Sequence, residues 1–283
     1  MRGARFWGRV VTAVAVVAGG AVGAPAIASG SPAQGPPDSS ITEVRATVAM
    51  SCDGLDPSDV GFVLTVPSSV RAGRPFPLEI AVDGLPLPDT SAGYVRLSLG
   101  GSAATEVTVA VEGTTYLVAP WAPAPEQDLA ITITAFGAID TVQLVDMFCV
   151  ADAPAPAATI PVRHATPFPV AQLTAEQRVG LFCLTYPGGR PDGHLETVSV
   201  TVPNQVVVGQ PFTIEGSAGV DVSGGVRSGQ TVTPTGSPGD TVDFSYNGGY
   251  TWTAPPPWPP FPLRVCDQRG GTVHLASVPI VAR

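Results

Sequence analysis

The chain has 283 residues, with 14 basic against 23 acidic side chains and no lysine. A net charge of −9 leaves no basic face for phosphates, which argues against nucleic acid and against an anionic membrane surface as partners. Hydrophobic residues at 44% and charged ones at 13%, with 32 Gly and 31 Pro, argue against global disorder and for many short strands joined by turns.

The amino end reads as a signal peptide over residues 1–28. Arg2, Arg5 and Arg9 precede an apolar run over 10–22, and Ala26, Ile27 and Ala28 have the small-x-small form of a cleavage site. The run is shorter than the roughly 20 residues of a membrane-spanning helix. The expectation is therefore cleavage and a secreted, extracellular product with no stable membrane insertion. Cleavage leaves 11 Arg against 23 acids, a net charge of −12. Residues 29–43 are rich in Ser, Gly and Pro and predict a disordered linker.

An internal repeat divides the rest. Residues 65–76 lie over 201–212 without a gap, and seven of the twelve positions are identical. Glu79 and Glu215 continue that register. Tyr116 with Trp121 then resembles Tyr250 with Trp258, and residues 141–144 resemble 272–275. Two copies follow, over 44–150 and 178–283, with a Pro/Ala-rich linker over 151–177. Within the first copy, Phe76, Leu78, Ile80 and Val82 alternate on one strand face. Val95, Leu97 and Leu99 do the same, as do Leu129, Ile131 and Ile133. The one helix-like piece is a single turn over 174–177. Residues 221–240, rich in Ser, Gly and Thr, read as edge strands and loops.

The turn phrase V-P-x-x-V-x-x-G-x-P-F, present in both copies, resembles the opening strand pair of secreted bacterial immunoglobulin-like domains. There Pro ends one strand, Gly makes the turn and the aromatic starts the next core-facing run. The resemblance implies an all-β chain of two tandem immunoglobulin-like β-sandwich domains after a signal peptide. It carries over no functional residue, and antibody-type Cys–Trp–Cys spacing is missing.

An even number of cysteines in an exported chain predicts disulfides. Four cysteines allow three pairings. Cys52–Cys149 and Cys183–Cys266 are favoured because each closes inside one copy. The repeat register sets Cys149 in a last strand but Cys266 one strand earlier, so the two bridges are expected to be non-equivalent.

Candidate sites are few. Tyr246, Tyr250, Trp252, Trp258 and Phe261 cluster among prolines. Tyr250, Trp252, Trp258 and Phe261 form the binding candidate, for a sugar or a partner peptide; the competing reading packs them on the core. Asp53, Asp56 and Asp59 form a calcium candidate, against a reading as a turn whose carboxylates cap local N–H groups. His164, His194 and His274 lie in no metal or catalytic motif. No catalytic residue, cofactor or further metal site is expected. The leading expectation is a secreted, non-catalytic binding or adhesion module whose partner is an envelope polysaccharide or protein. The alternatives are a structural spacer or envelope component, and a secreted hydrolase without a recognisable motif.

Overall fold

Alternating apolar runs punctuated by Pro and Gly become strands throughout the computed structural model. It describes residues 40–53, 58–83, 89–100, 105–121, 128–142, 145–186, 192–217, 220–222, 226–227, 229, 231–246, 263–267 and 272–283, with backbone only at 145–146, 184–186, 220–222, 226–227 and 263–267. The protein is all-β with a sandwich-like sheet arrangement, and 72% of the described residues lie in strands. The first ten strands are β1 (Ile41–Cys52), β2 (Ser58–Pro67), β3 (Val70–Arg71), β4 (Pro75–Asp83), β5 (Ser91–Leu99), β6 (Thr105–Ala110), β7 (Gly113–Val118), β8 (Asp128–Asp140), β9 (Val145–Ala151) and β10 (Pro156–Arg163). There follow β11 (Gln172–Tyr186), β12 (Asp192–Pro203), β13 (Val206–Val207), β14 (Phe212–Thr213), β15 (Glu215–Gly216), β16 (Val220–Val222), β17 (Val226–Arg227), β18 (Thr231–Val232), β19 (Thr241–Tyr246), β20 (Leu263–Asp267) and β21 (Val273–Val281).

One pairing scheme occurs twice. In the first copy β1 forms a hairpin with β2, β2 pairs β4 and β4 pairs β7. β5 pairs β6 and β8, β8 pairs β9 and β10, and the short β3 runs parallel to β10. In the second, β11 pairs β12, β12 pairs β15, β14 pairs β18, β16 pairs β17 and β19, β19 pairs β21, and β13 runs parallel to β21. The turn phrase makes matching bonds in both copies. Gly73 N donates to Ala119 O and Gly209 N to Pro234 O, while Ala72 N donates to Arg163 O and Val208 N to Val281 O.

This scheme corrects four sequence-based expectations. First, residues 151–177 are not a linker throughout. β10 takes up 156–163 and buries Ala157, Ala158 and Ile160, because its small and branched residues alternate inward while Pro156 and Pro161 face solvent, where a strand tolerates Pro. β11 takes up 172–177, so the expected helical turn over 174–177 is strand. Thr174 and Gln177 gain ladder partners in Thr201 and Val198, and tertiary pairing overrides a capping signal. Second, β1 begins at Ile41, inside the segment read as disordered, because Ile41 pairs Pro67.

Third, the rear register differs. Val70 pairs Val162 and Val206 pairs Ile280, so β10 matches β21: Ala158, Ile160, Pro161 and Val162 lie over Ala276, Val278, Pro279 and Ile280. The likeness of 141–144 to 272–275 is therefore incidental. Likewise Phe76 pairs Leu117 and Phe212 pairs Val232, so the counterpart of Tyr116 is Thr231 rather than Tyr250. Fourth, the cysteines are equivalent. Cys52 of β1 faces Cys149 of β9 and is bonded to it. Cys183 of β11 faces Cys266 of β20 in the same relation and is itself disulfide-bonded.

The described residues fall in one compact unit with two apolar cores. One is built from the first copy alone, around Phe62, Leu64, Leu97, Ile131 and Phe136, with Phe62 and Phe136 edge to face at 5.8 Å. The other gathers Val198, Val200, Phe244, Tyr246 and Leu275, and it is completed by Ala92, Tyr94, Ala110 and Ile139 of the first copy.

Candidate functional site

The two copies meet along a seam that gathers several of the buried polar side chains, among them Thr115, Gln177 and His274. β7, an edge strand of the first copy, pairs antiparallel with β11 at Glu176–Thr114 and Gln177–Gly113, and touches β21 at Ala276–Tyr116. The approach needs glycine at 113: an added Cβ would stand 2.2 Å from Glu176 O, and φ is 119°.

Gln177 is 1% exposed and bridges three strands. Its Oε1 accepts from Ala110 N at 2.9 Å, and its Nε2 donates to His274 O at 3.0 Å. Thr115 Oγ1, also buried, donates to Leu275 O at 2.8 Å. Gly180 N donates to the Tyr94 hydroxyl at 2.6 Å. Arg178 pairs with Glu112 at the rim. Buried amides and hydroxyls satisfied in this way hold the copies in one register, since breaking any of them strands a desolvated group.

His274 sits under the same seam. Its Nε2 lies 3.1 Å from Ser277 Oγ, and Ser277 Oγ donates to Asp243 Oδ1 at 2.5 Å. The trio has the residue types of a hydrolytic triad in the wrong order. The hydroxyl stands between the carboxylate and the imidazole and donates its hydrogen bond to the carboxylate, whereas in a hydrolytic triad the imidazole stands between the other two. Burial pushes the His274 pKa down, against the smaller upward pull of Asp243.

A second cluster lies at the surface beside the turn phrase. Trp121 is 45% exposed and rests on Gly73, where an added Cβ would stand 2.4 Å from the ring. A Cβ added at Gly239 of the second copy would stand 3.9 Å from the same indole. Next to it the Arg74 guanidinium lies over the Phe168 ring, 4.3 Å from its centroid, and Nη2 donates to Thr166 O and Pro167 O. Asn204 and Gln205 donate to Pro169 O and Phe168 O from the other side. The short connection between the copies is thereby tied down at both ends.

Of the residues expected to bind a ligand, Tyr250, Trp252, Trp258 and Phe261 lie outside the described residues, as does Asp56 of the calcium candidate. Asp53 and Asp59 are exposed at the β1–β2 hairpin. Among the described residues no three His, Cys, Asp or Glu side chains gather as a metal site. His164 is exposed in the connection, and His194 Nδ1 stands 3.6 Å from Cys183 Sγ. Sequence reasoning missed Gln177, Thr115 and Trp121 as seam residues. A polar residue on the inward side of an otherwise apolar strand, as Gln177 is between Ala175 and Val179, was the available signal.

No family model, curated protein or solved structure matches the chain. Among the described residues no helix is long and apolar enough to cross a membrane.

Proposed function

We propose that the chain is a secreted, non-catalytic binding or adhesion module made of two tandem immunoglobulin-like sandwiches. The pairing scheme supports the immunoglobulin-like part. Strands β2, β4 and β7 form one group, β6, β5, β8 and β10 the other, and the opening strand is split so that β3 joins β10. The equivalent cysteine pairs support passage through an oxidising compartment.

The observation that carries the binding reading is Trp121. Its indole is held against a backbone turn that only glycine allows, and nearly half of its surface is open. A positioned aromatic face of this kind stacks on a sugar ring or a partner's apolar side chain at little entropic cost. A structural spacer is the second reading, favoured by the hydrogen-bonded seam and the tied connection.

Sedimentation of the mature chain with cell-envelope material and a panel of insoluble polysaccharides separates the two. The binding reading predicts saturable sedimentation that Trp121→Ala weakens about tenfold or more, as loss of a stacking anchor does. Absence of sedimentation with every material would sink its polysaccharide form and favour the spacer.

A further inference from the structure

Given the binding reading of Trp121, on which this rests, we infer that its corner takes an acidic saccharide: a sugar ring stacks on the indole and its carboxylate is held by Arg163. Trp121 lies across Gly73 with nearly half of its surface open. Gly73 belongs to a four-residue turn closed by Arg74 N on Arg71 O at 3.1 Å, so the backbones of Arg71 and Arg74 stand within about 7 Å of each other. Ala72 N, in the same turn, donates to Arg163 O at 2.9 Å, and the parallel β3–β10 ladder sets Arg163 opposite Arg71. Three arginines thus gather around the turn under the indole, in a chain with no lysine and an excess of acids. Arg74 is committed to Thr166 O, Pro167 O and the Phe168 ring, and Arg71 is partly buried. Arg163 is exposed, and the ion pairs among the described residues, Arg45–Asp83 and Arg178–Glu112, leave it out.

The second copy shows what the fold itself requires at this place. There the rung of Arg71 and Arg163 is Val207 opposite Val281, Gln210 stands for Arg74, and a Cβ added at Gly209 meets nothing within 4 Å. The turn and its ladder therefore form without arginine or tryptophan. Like charges held opposite one another repel, and a carboxylate bound at Arg163 relieves that repulsion. A guanidinium grips a carboxylate through two parallel N–H bonds, and a flat indole beside it offers an apolar face to the ring that carries the carboxylate. Screening beyond about 8 Å at physiological ionic strength mutes the chain's distant acids while leaving groups in contact with the ligand unscreened. Three arginines are too few for the many phosphate contacts of nucleic acid and suffice for a single carboxylate.

Isothermal titration of the folded protein with polygalacturonate, alginate and hyaluronate, each beside its methyl ester, tests this. Esterification removes the charge and keeps the ring. At least one acid should bind saturably and about tenfold more tightly than its ester, as a charge-assisted hydrogen bond provides. Arg163→Gln should abolish that difference and leave the ester unchanged, whereas Trp121→Ala should weaken both forms. Arg163→Gln keeps the backbone carbonyl that Ala72 N needs, so an unchanged thermal midpoint shows that the corner is intact. Acid and ester bound equally through Trp121, or an acid preference that survives Arg163→Gln, would overturn the inference and leave the binding reading standing. So would silence from all the acids while Trp121-dependent sedimentation with another material persists. No binding to any acid, ester or envelope material would remove the inference together with the polysaccharide form of the reading beneath it.

Discussion

The two copies share a pairing scheme but differ in how they close. The first is self-sufficient: β4 runs nine residues from Pro75 to Asp83, joins β2 to β7, and buries Phe76, Leu78 and Ile80. In the second, the same stretch breaks into β14 and β15 of two residues each. Phe212 is only partly buried, Ile214 is fully buried in the place of Leu78, and Gly216 replaces Ile80. At Gly216 an added Cβ would stand 2.5 Å from Ser199 O, so the apolar alternation ends in a close backbone approach. The second copy makes up the deficit with Ala92, Tyr94, Ala110 and Ile139 of its neighbour. A duplicated sandwich can lose part of one sheet when the missing apolar cover is supplied across a seam.

The largest expected effect comes from the cores. Phe76→Ala should cost about 3–5 kcal/mol, as for a fully buried aromatic, and Phe212→Ala about half that. Chemical denaturation of both variants checks the ranking, and equal costs would erase the asymmetry. The seam comes next. Gln177→Ala takes the acceptor from the buried Ala110 N–H and one of two side-chain donors from His274 O, which keeps Thr115 Oγ1, at about 1–3 kcal/mol. The equivalent rung of the first copy holds Ala46 opposite Phe62, so this loss belongs to the junction and not to the repeat.

A finer comparison uses the two turn glycines. Gly73 and Gly209 have φ of 68° and 70°. Alanine at either site pays about 1–2 kcal/mol for the left-handed backbone. Only at Gly73 does the new methyl also displace Trp121, since nothing lies within 4 Å at Gly209. Gly73→Ala should therefore be the more destabilising and should alter Trp121 fluorescence, and Gly209→Ala should leave the emission unchanged.

The smallest effect is the acid response of the seam. His274 is buried with its pKa held below 6.5. The unfolded chain then binds the proton first, so stability falls as pH drops below about 6.5 and is regained above it. Thermal melts across pH 5 to 8 should show a shallower slope for His274→Gln than for wild type.

The first half of the repeat was legible because its signal is local: Pro stops a strand, Gly turns, and an aromatic starts the next. The all-β character was legible for the same reason, and the Cys52–Cys149 bridge because both cysteines fall inside one copy. The second half was hidden. Ala158 to Val162 and Ala276 to Ile280 match in space, but the first of these sits in Pro/Ala-rich sequence whose composition imitates a linker. The seam was illegible because its bonds join residues up to 160 positions apart. A strand's edge shows in sequence only as a glycine, here Gly113, whose need for close approach emerges once β11 lies against it. In sequence Trp121 aligns with Trp258, and its seat on Gly73 depends on the geometry of another part of the chain.

The seam joins the two copies into one body. Differential scanning calorimetry of the protein tests this most directly. A single transition is expected, with calorimetric and van't Hoff enthalpies that agree, and Gln177→Ala should split or broaden it. Two independent transitions in the wild-type protein, each untouched by Gln177→Ala, would contradict it.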